Sequence, residues 1–377
     1  MPSIFFISLM NGLPWGGSEE LWYRSALYAA QKGWKVGCAI YHWKEKEEKI
    51  EKLARAGCAV YWLPNDGRKK ESMADTLRYK LTKYRLKKYI KNLPVKDFEM
   101  VVINQGGFEI HTSAWRNYYR HLNHYALLFH NYNKHETWSN SKKQAISNWI
   151  SKANKNLFAS DQIRISLQQQ LDISITNSAT LINPVTISPP ETTTPYPSTD
   201  NGEYLFAMFA ALETNRKAQD NLIKALSAPK WKERSWKLML YGEGKDRKEL
   251  EKLVTELKLA NKVYLKGHTI NITGEMKAAH IILQVTHMDA MPISVVEAMA
   301  LSRPVIVSEV GDMPVWVKED INGFVSPDAS IESINATLEK AWNNRNSWPE
   351  MGKKSFEIFK EKYPVAIEAS FLKQLGF

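Results

Sequence analysis

Two carboxylates, Asp289 and Glu297, sit eight positions apart in the stretch DAMPISVVEAMA, residues 289–300. Ionised carboxylates are acceptors only and take hydroxyl donors in pairs. Free backbone N–H groups at a helix start take anions. One acid holding hydroxyls beside amides holding a diphosphate is an arrangement suited to a nucleotide-sugar. Ala290, Met291, Pro292 and Ile293 lie between the acids, and all but the proline can offer such an amide.

The order of elements decides whether these groups can converge. The run AAHIILQVT before Asp289 is apolar and β-capable, and Pro292 fits a first helical turn, where its missing N–H costs nothing. Ile293, Val296, Ala300 and Leu301 then recur at helical spacing. Asp289 therefore belongs to the loop after a strand and Glu297 to the first turns of the helix that follows.

The same strand–helix alternation runs through the chain. Strands are expected at 2–9, 35–41, 58–63, 99–103 and 125–130, with helices at 17–32, 44–56, 69–92 and near 109–121. Residues 184–202, PVTISPPETTTPYPSTDNG, are rich in Pro and Thr with little to bury, and read as an extended linker. After it come strands at 203–209, 236–241, 262–266, 280–285 and 304–308. Helices at 217–227, 245–258, 271–279 and 292–301 alternate with them. Repeated βα units imply parallel sheets covered on both faces. At 377 residues two domains are expected, with ligands beyond the carboxyl ends of the strands, in a cleft between two facing Rossmann-like domains.

Three further places can carry chemistry. Residues 11–19, NGLPWGGSE, join the first strand to the first helix. Gly16 and Gly17 let the backbone approach a ligand, and Ser18 can cap the helix. Ser18 and Glu19 stand where a Walker-type phosphate loop needs Lys and Ser/Thr, which argues against nucleotide hydrolysis. His130 ends the run YALLFH, at the carboxyl end of a strand, where a polar side chain can meet a sugar or an acceptor. Tyr241-Gly242-Glu243-Gly244 also ends a strand and permits close approach to a nucleotide, without the third glycine of a dinucleotide fingerprint. His287 and Asp289 form a poor metal pair, and no D-x-D triplet occurs, so neither metal nor other cofactor is expected.

From Asp289 onward the chain resembles the family-four retaining glycosyltransferases, which have the GT-B fold. The resemblance rests on an acid, seven residues and a Glu, then Ala298-Met299-Ala300, the run Pro304-Val305-Ile306, the turn at Val310-Gly311, and Asn322-Gly323-Phe324-Val325. It implies a retaining, metal-independent hexosyl-type transfer from a nucleotide diphosphate-sugar to a glycan, lipid or small-molecule acceptor. It further implies that Gly16 and Gly17 lie near the sugar and acceptor, that Glu297 binds ribose, and that Asp289 contacts sugar hydroxyls. By the same resemblance Lys217, in Lys217-Ala218-Gln219-Asp220, and the adjacent Arg216 stabilise the departing diphosphate, and His130 faces the reacting groups. The chain departs from the family pattern at Asn131, Ala211, Asp312 and Val315. Domains are expected at 1–184 (acceptor side), 203–358 (nucleotide-sugar side) and a C-terminal helix, 359–377, returning to the first domain.

Composition sets the remaining expectations. No apolar run approaches the length of a spanning helix, and PSIFFISLM reads as a first strand and not as a signal peptide. Cys38 and Cys58 lie in apolar runs and read as buried free thiols, consistent with a cytoplasmic protein. The net charge is +11, and residues 68–92 carry ten Lys or Arg against Glu71 and Asp75, so no acidic block neutralises them. An amphipathic basic helix there suits an anionic membrane surface, a peripheral position on its inner face, and no nucleic acid. Two other readings compete. A nucleotide-sugar epimerase on this architecture would consume donor without acceptor, and a silent carbohydrate- or membrane-binding protein would not turn donor over at all.

Overall fold

A computed structural model describes residues 1–12, 14–64, 82, 84–105, 107–133, 136–199 and 202–377. The chain forms two compact units, Met1–Pro184 with Val365–Phe377, and Val185–Pro364.

Unit 1 is built on a seven-stranded sheet, β1 Ser3–Ser8, β2 Lys35–Tyr41, β3 Ala59–Leu63, β4 Met100–Gln105, β5 Tyr125–Phe129, β6 Lys155–Phe158 and β7 Ser178–Thr180, in the order 3-2-1-4-5-6-7. Every pairing is parallel. Helix Gly17–Gln31 follows β1, and helix Ile367–Gln374 packs on it, tied by Arg24 Nε donating to Glu368 Oε1 at 2.6 Å. Both cysteines are free and buried.

Unit 2 carries six parallel strands, β8 Tyr204–Phe209, β9 Trp236–Tyr241, β10 Val263–Gly267, β11 Ile281–Gln284, β12 Val305–Ser308 and β13 Gly323–Ser326, in the order 10-9-8-11-12-13. β11 is buried throughout, as expected of a parallel strand with both faces covered. Phe206 on β8 sits among the rings of Trp231, Trp236, Trp342 and Trp348. Truncating one such buried ring costs about 3–5 kcal/mol.

In each sheet the strand order reverses once, between β1 and β4 and between β8 and β11. Connections leave such a point in opposite directions and open a crevice at the strands' carboxyl ends, where α/β folds place ligands.

Several sequence-based expectations are corrected. Residues 109–121 form only two 3₁₀ turns, Glu109–His111 and Tyr118–His121. Their buried residues, Ile110, Trp115 and Tyr118, are five and three apart and do not make a helical stripe. The helix expected at 217–227 is two helices, Thr214–Lys217 and Gln219–Leu226, broken where Ala218 takes φ +50°. Gly16, in extended backbone, is the N-cap of the first helix, which leaves Ser18 inside it. Most of the basic segment 68–92 lies outside the described residues, and residues 84–91 are helical.

The described part of the Pro/Thr-rich stretch, residues 185–199, is not a free linker. Val185 and Ile187 are buried, and Thr194 N–H donates to Ser302 Oγ at 3.0 Å. Arg303, with no exposed surface, donates to the carbonyls of Pro195 (2.8 Å), Lys277 (2.8 Å) and Met276 (3.2 Å), and stacks on Tyr196. Composition gave no sign of this, because the residues that hold the stretch lie over a hundred positions away. No described helix is long and apolar enough to cross a membrane.

Candidate functional site

The reversal point of unit 2 gathers the loops after β8 and β11. After β8, the short helix Thr214–Lys217 ends at the left-handed Ala218, so Lys217 closes one helix instead of opening the next. After β11, Thr286 Oγ1 donates to the Arg216 carbonyl (2.5 Å), and His287 N–H donates to the same oxygen (2.8 Å). These bonds fasten the two loops together. Lys217 Nζ then forms an ion pair with Asp289 Oδ2, both side chains being mostly buried, while Asp289 Oδ1 accepts from Ala290 N–H at 2.9 Å. Asp289 thus orients a lysine, and any hydroxyl it binds competes with that contact.

Arg216 is placed differently from Lys217. Its Nη1 pairs with Glu213 Oε2 at 3.2 Å, and the side chain is more exposed. Helix Ile293–Ala300 begins just beyond Asp289, with Pro292 as N-cap and no side-chain capping bond. Its first-turn N–H groups therefore lack the side-chain acceptor that usually serves them. Ala290 is held by its carbonyl, which accepts from Asp312 N–H at 2.8 Å; Met291 is half-buried.

Glu297 lies in that helix, 3% exposed, and makes its hydrogen bonds away from Lys217 and Asp289. Its Oε1 accepts from Thr186 N–H (2.7 Å) and Thr186 Oγ1 (2.6 Å), which anchors the start of the extended stretch. Burial pushes its pKa up from 4.5, and the Thr186 and Ile187 hydrogen bonds oppose that shift. A raised folded pKa means that the folded state holds the proton more tightly. Stability from this group is greatest at low pH and falls as pH rises from about 4.5 through the folded value. Glu297→Gln keeps an oxygen acceptor for Thr186 and removes the buried charge. The variant should be at least as stable as the parent at neutral pH and lose that part of the pH slope, measured by denaturant unfolding between about pH 4 and 8.

Gly242 and Gly244 have a role the sequence did not indicate. A Cβ at Gly242, where φ is +138°, would lie 2.0 Å from the Ala210 carbonyl oxygen, and one at Gly244 2.3 Å from that of Leu212. The close approach is to the chain's own loop after β8, which these glycines let settle at the reversal point.

Unit 1 repeats the pattern. Ser8 ends β1 and is paired in register with Asn104 on β4. Glu19, fully buried two residues into the first helix, accepts from Ser8 Oγ (2.8 Å) and Asn104 Nδ2 (2.7 Å). Burial pushes the Glu19 pKa up and the buried Lys46 beside it pulls it down. This clamp seats the Gly16-Gly17 turn. Sequence reading missed Glu19, although an acid three before Trp22 and seven before Ala26, on the inner face of the helix, is a legible signal.

His130 follows β5. Both of its ring nitrogens are sealed from solvent without a partner, and burial lowers its pKa to about 4, so it is neutral at pH 7. The Gln105 side-chain amide, ending β4, is also without partners. Buried polar groups left unpaired cost about 1–3 kcal/mol each, which marks these side chains as groups kept for something other than stability. Among the described residues no cluster of three or more His, Cys, Asp or Glu is placed to hold a metal ion.

Two parallel Rossmann-like sheets, each with its reversal-point site, define a GT-B-type α/β protein. Residues 195–357, within unit 2, match the family described as glycosyl transferases group 1. Over 286 residues the chain is 24% identical to the poly(ribitol-phosphate) alpha-N-acetylglucosaminyltransferase of Staphylococcus aureus, a match covering 74% of this chain and 55% of that protein. Over 128 residues it is 26% identical to the poly(glycerol-phosphate) alpha-glucosyltransferase of Bacillus subtilis, covering 34% and 19%. The chain therefore matches about half the length of the first relative and a fifth of the second. The crystal structure of Anabaena HepE in complex with UDP superposes with a TM-score of 0.75 at 15% identity, over 99% of each chain, a likeness of fold.

Proposed function

We propose that the protein is a retaining glycosyltransferase that moves a sugar from a UDP-sugar to a hydroxyl of a polyol-phosphate polymer. The observation that carries the reading is the Lys217–Asp289 pair beside the uncapped start of helix Ile293–Ala300, at the reversal point of a group 1 glycosyl transferase domain. Lys217 and the first-turn amides hold the diphosphate, and Arg216 adds positive charge at the edge. Negative charge grows on the leaving phosphate as the glycosidic bond breaks, so fixed cations there act mainly on the transition state. No metal is required when a lysine and amides supply that charge.

In retention the acceptor hydroxyl enters on the face the diphosphate leaves, and the departing phosphate takes its proton. Unit 1 supplies the acceptor side, with the neutral His130 as a hydrogen-bond partner that does not compete as a cation. The relatives' names support the polyol-phosphate class, and the UDP held by Anabaena HepE supports the uridine donor. The test is incubation with UDP-glucose or UDP-N-acetylglucosamine and a synthetic glycerol-phosphate oligomer, with the product's anomeric configuration read by NMR. An α-linked product is expected. A β-linked product overturns retention, and conversion of donor to an epimer without acceptor overturns transfer.

A further inference from the structure

Unit 1 has a second feature, away from the carboxyl ends of its strands. A groove of about 580 Å³ runs between the helical residues 84–91 and the segment 113–121. Lys87, Lys88 and Lys91 line it from the helix, and Ser113, Asn117, Tyr118 and His121 from the other segment. Among the described residues no carboxylate lines it.

Three facts set this groove apart from an ordinary basic surface. The three lysines are exposed, and among the described residues no acid pairs with any of them, whereas most basic residues in the two helices Glu47–Arg55 and Arg247–Glu256 have a carboxylate three or four residues away. Uncompensated like charges repel, so the arrangement costs stability unless an anion relieves it. Lys87 and Lys91 are four apart and share a helix face, which sets two cations along the groove. Tyr118, 4% exposed, keeps its hydroxyl sealed and without a hydrogen-bond partner in the groove wall. A buried hydroxyl in that condition is an unmet donor, and a charged surface alone gives no reason for it.

We infer that this groove binds a phosphodiester chain bearing free hydroxyls, the lysines taking successive phosphates and Ser113, Asn117 and Tyr118 the polyol hydroxyls. The inference rests on the proposed function and deepens it, since it gives the polymeric acceptor a docking site apart from the transfer chemistry. Tyr84, 72% exposed, offers an apolar face to the carbon chain between phosphates. The groove adds affinity for long acceptors and leaves the chemical step alone, so it acts on KM for polymer and not on kcat.

The experiment measures direct binding of a fluorescent glycerol-phosphate oligomer to the full chain, without donor. A neutral dextran of equal length, inorganic phosphate and vesicles of phosphatidylglycerol serve as comparison ligands. The parent should bind the oligomer, not the dextran, and bind it at least tenfold more weakly when salt is raised from 0.1 M to 1 M, as the screening length falls from about 10 Å to about 3 Å. Lys87→Gln/Lys88→Gln/Lys91→Gln should weaken binding at least tenfold. Tyr118→Phe, which keeps the ring, should weaken it severalfold. Equal binding by parent and triple variant overturns the inference, as does an oligomer that does not bind. Vesicle binding lost in the triple variant, with no oligomer binding, assigns the groove to a membrane surface instead. UDP binding, followed in parallel, separates this outcome from failure of the transferase reading: the triple variant should bind UDP as the parent does.

Discussion

Lys217→Ala is expected to lower kcat about 10²–10³-fold, the cost of removing one preorganised group that meets developing charge. The apparent KM for the UDP-sugar should change far less, because in the proposed reading the helix amides also hold the ground-state diphosphate. The structure makes the lysine's position depend on Asp289, whose other oxygen is fixed by Ala290 N–H. Asp289→Asn should therefore also depress kcat, by loosening the lysine, but less than removal of the ammonium group. Arg216 already pairs with Glu213 and is more exposed, so Arg216→Ala should cost under tenfold. Steady-state kinetics on the three single variants decide the matter. Near-parent kcat in Lys217→Ala removes this residue from the diphosphate site.

Arg303→Ala should be the most destabilising single change outside the aromatic core, by about 3–5 kcal/mol. The guanidinium is fully buried and donates to backbone carbonyls from two distant segments, the extended stretch at Pro195 and the end of helix Ile272–Ala278 at Met276 and Lys277. Removing it leaves these acceptors unpaired, at about 1–3 kcal/mol each before relaxation, and opens a cavity. Arg303→Lys restores the charge but not the fork that spans several carbonyls, and should recover only part of the loss. Denaturant unfolding followed by tryptophan fluorescence gives the measurement. A loss below about 1 kcal/mol for Arg303→Ala would mean that the extended stretch at Pro195 is not held through this residue.

The two predictions mark where sequence reading succeeded and where it stopped. Strands β2 and β9 fall where the apolar runs placed them, residues 35–41 and 236–241. Buried parallel strands are short, continuous and apolar, so their identity is written locally. The helix Ile293–Ala300 begins one residue from its expected start, because Pro292 punctuates it. Asp289 and Lys217 were both singled out in the sequence. That they pair with each other was not legible, because 72 residues separate them and only the 10-9-8-11-12-13 order brings β8 and β11 side by side.

Elsewhere local pattern and tertiary outcome part company. The stretch 185–202 reads as linker by every local measure, yet Glu297, Ser302 and Arg303 hold its residues Thr186, Thr194 and Pro195 from one helix and the turn after it. The sequence offers Gly242 and Gly244 as clearance for a nucleotide, and the fold adds that the carbonyls of Ala210 and Leu212 occupy the space a side chain would need. The resemblance assigns Glu297 to ribose through its carboxylate, and the fold adds a partner for Oε1 in Thr186. By itself the sequence determined the βα alternation, the two-unit organisation and the residue types available for a diphosphate and a sugar. Those follow from periodicity and local backbone preference. Which of those residues face one another, which cations stay unpaired and which polar groups are sealed without partners were decided by the fold, since hydrogen bonds and ion pairs form between segments that only strand order makes neighbours.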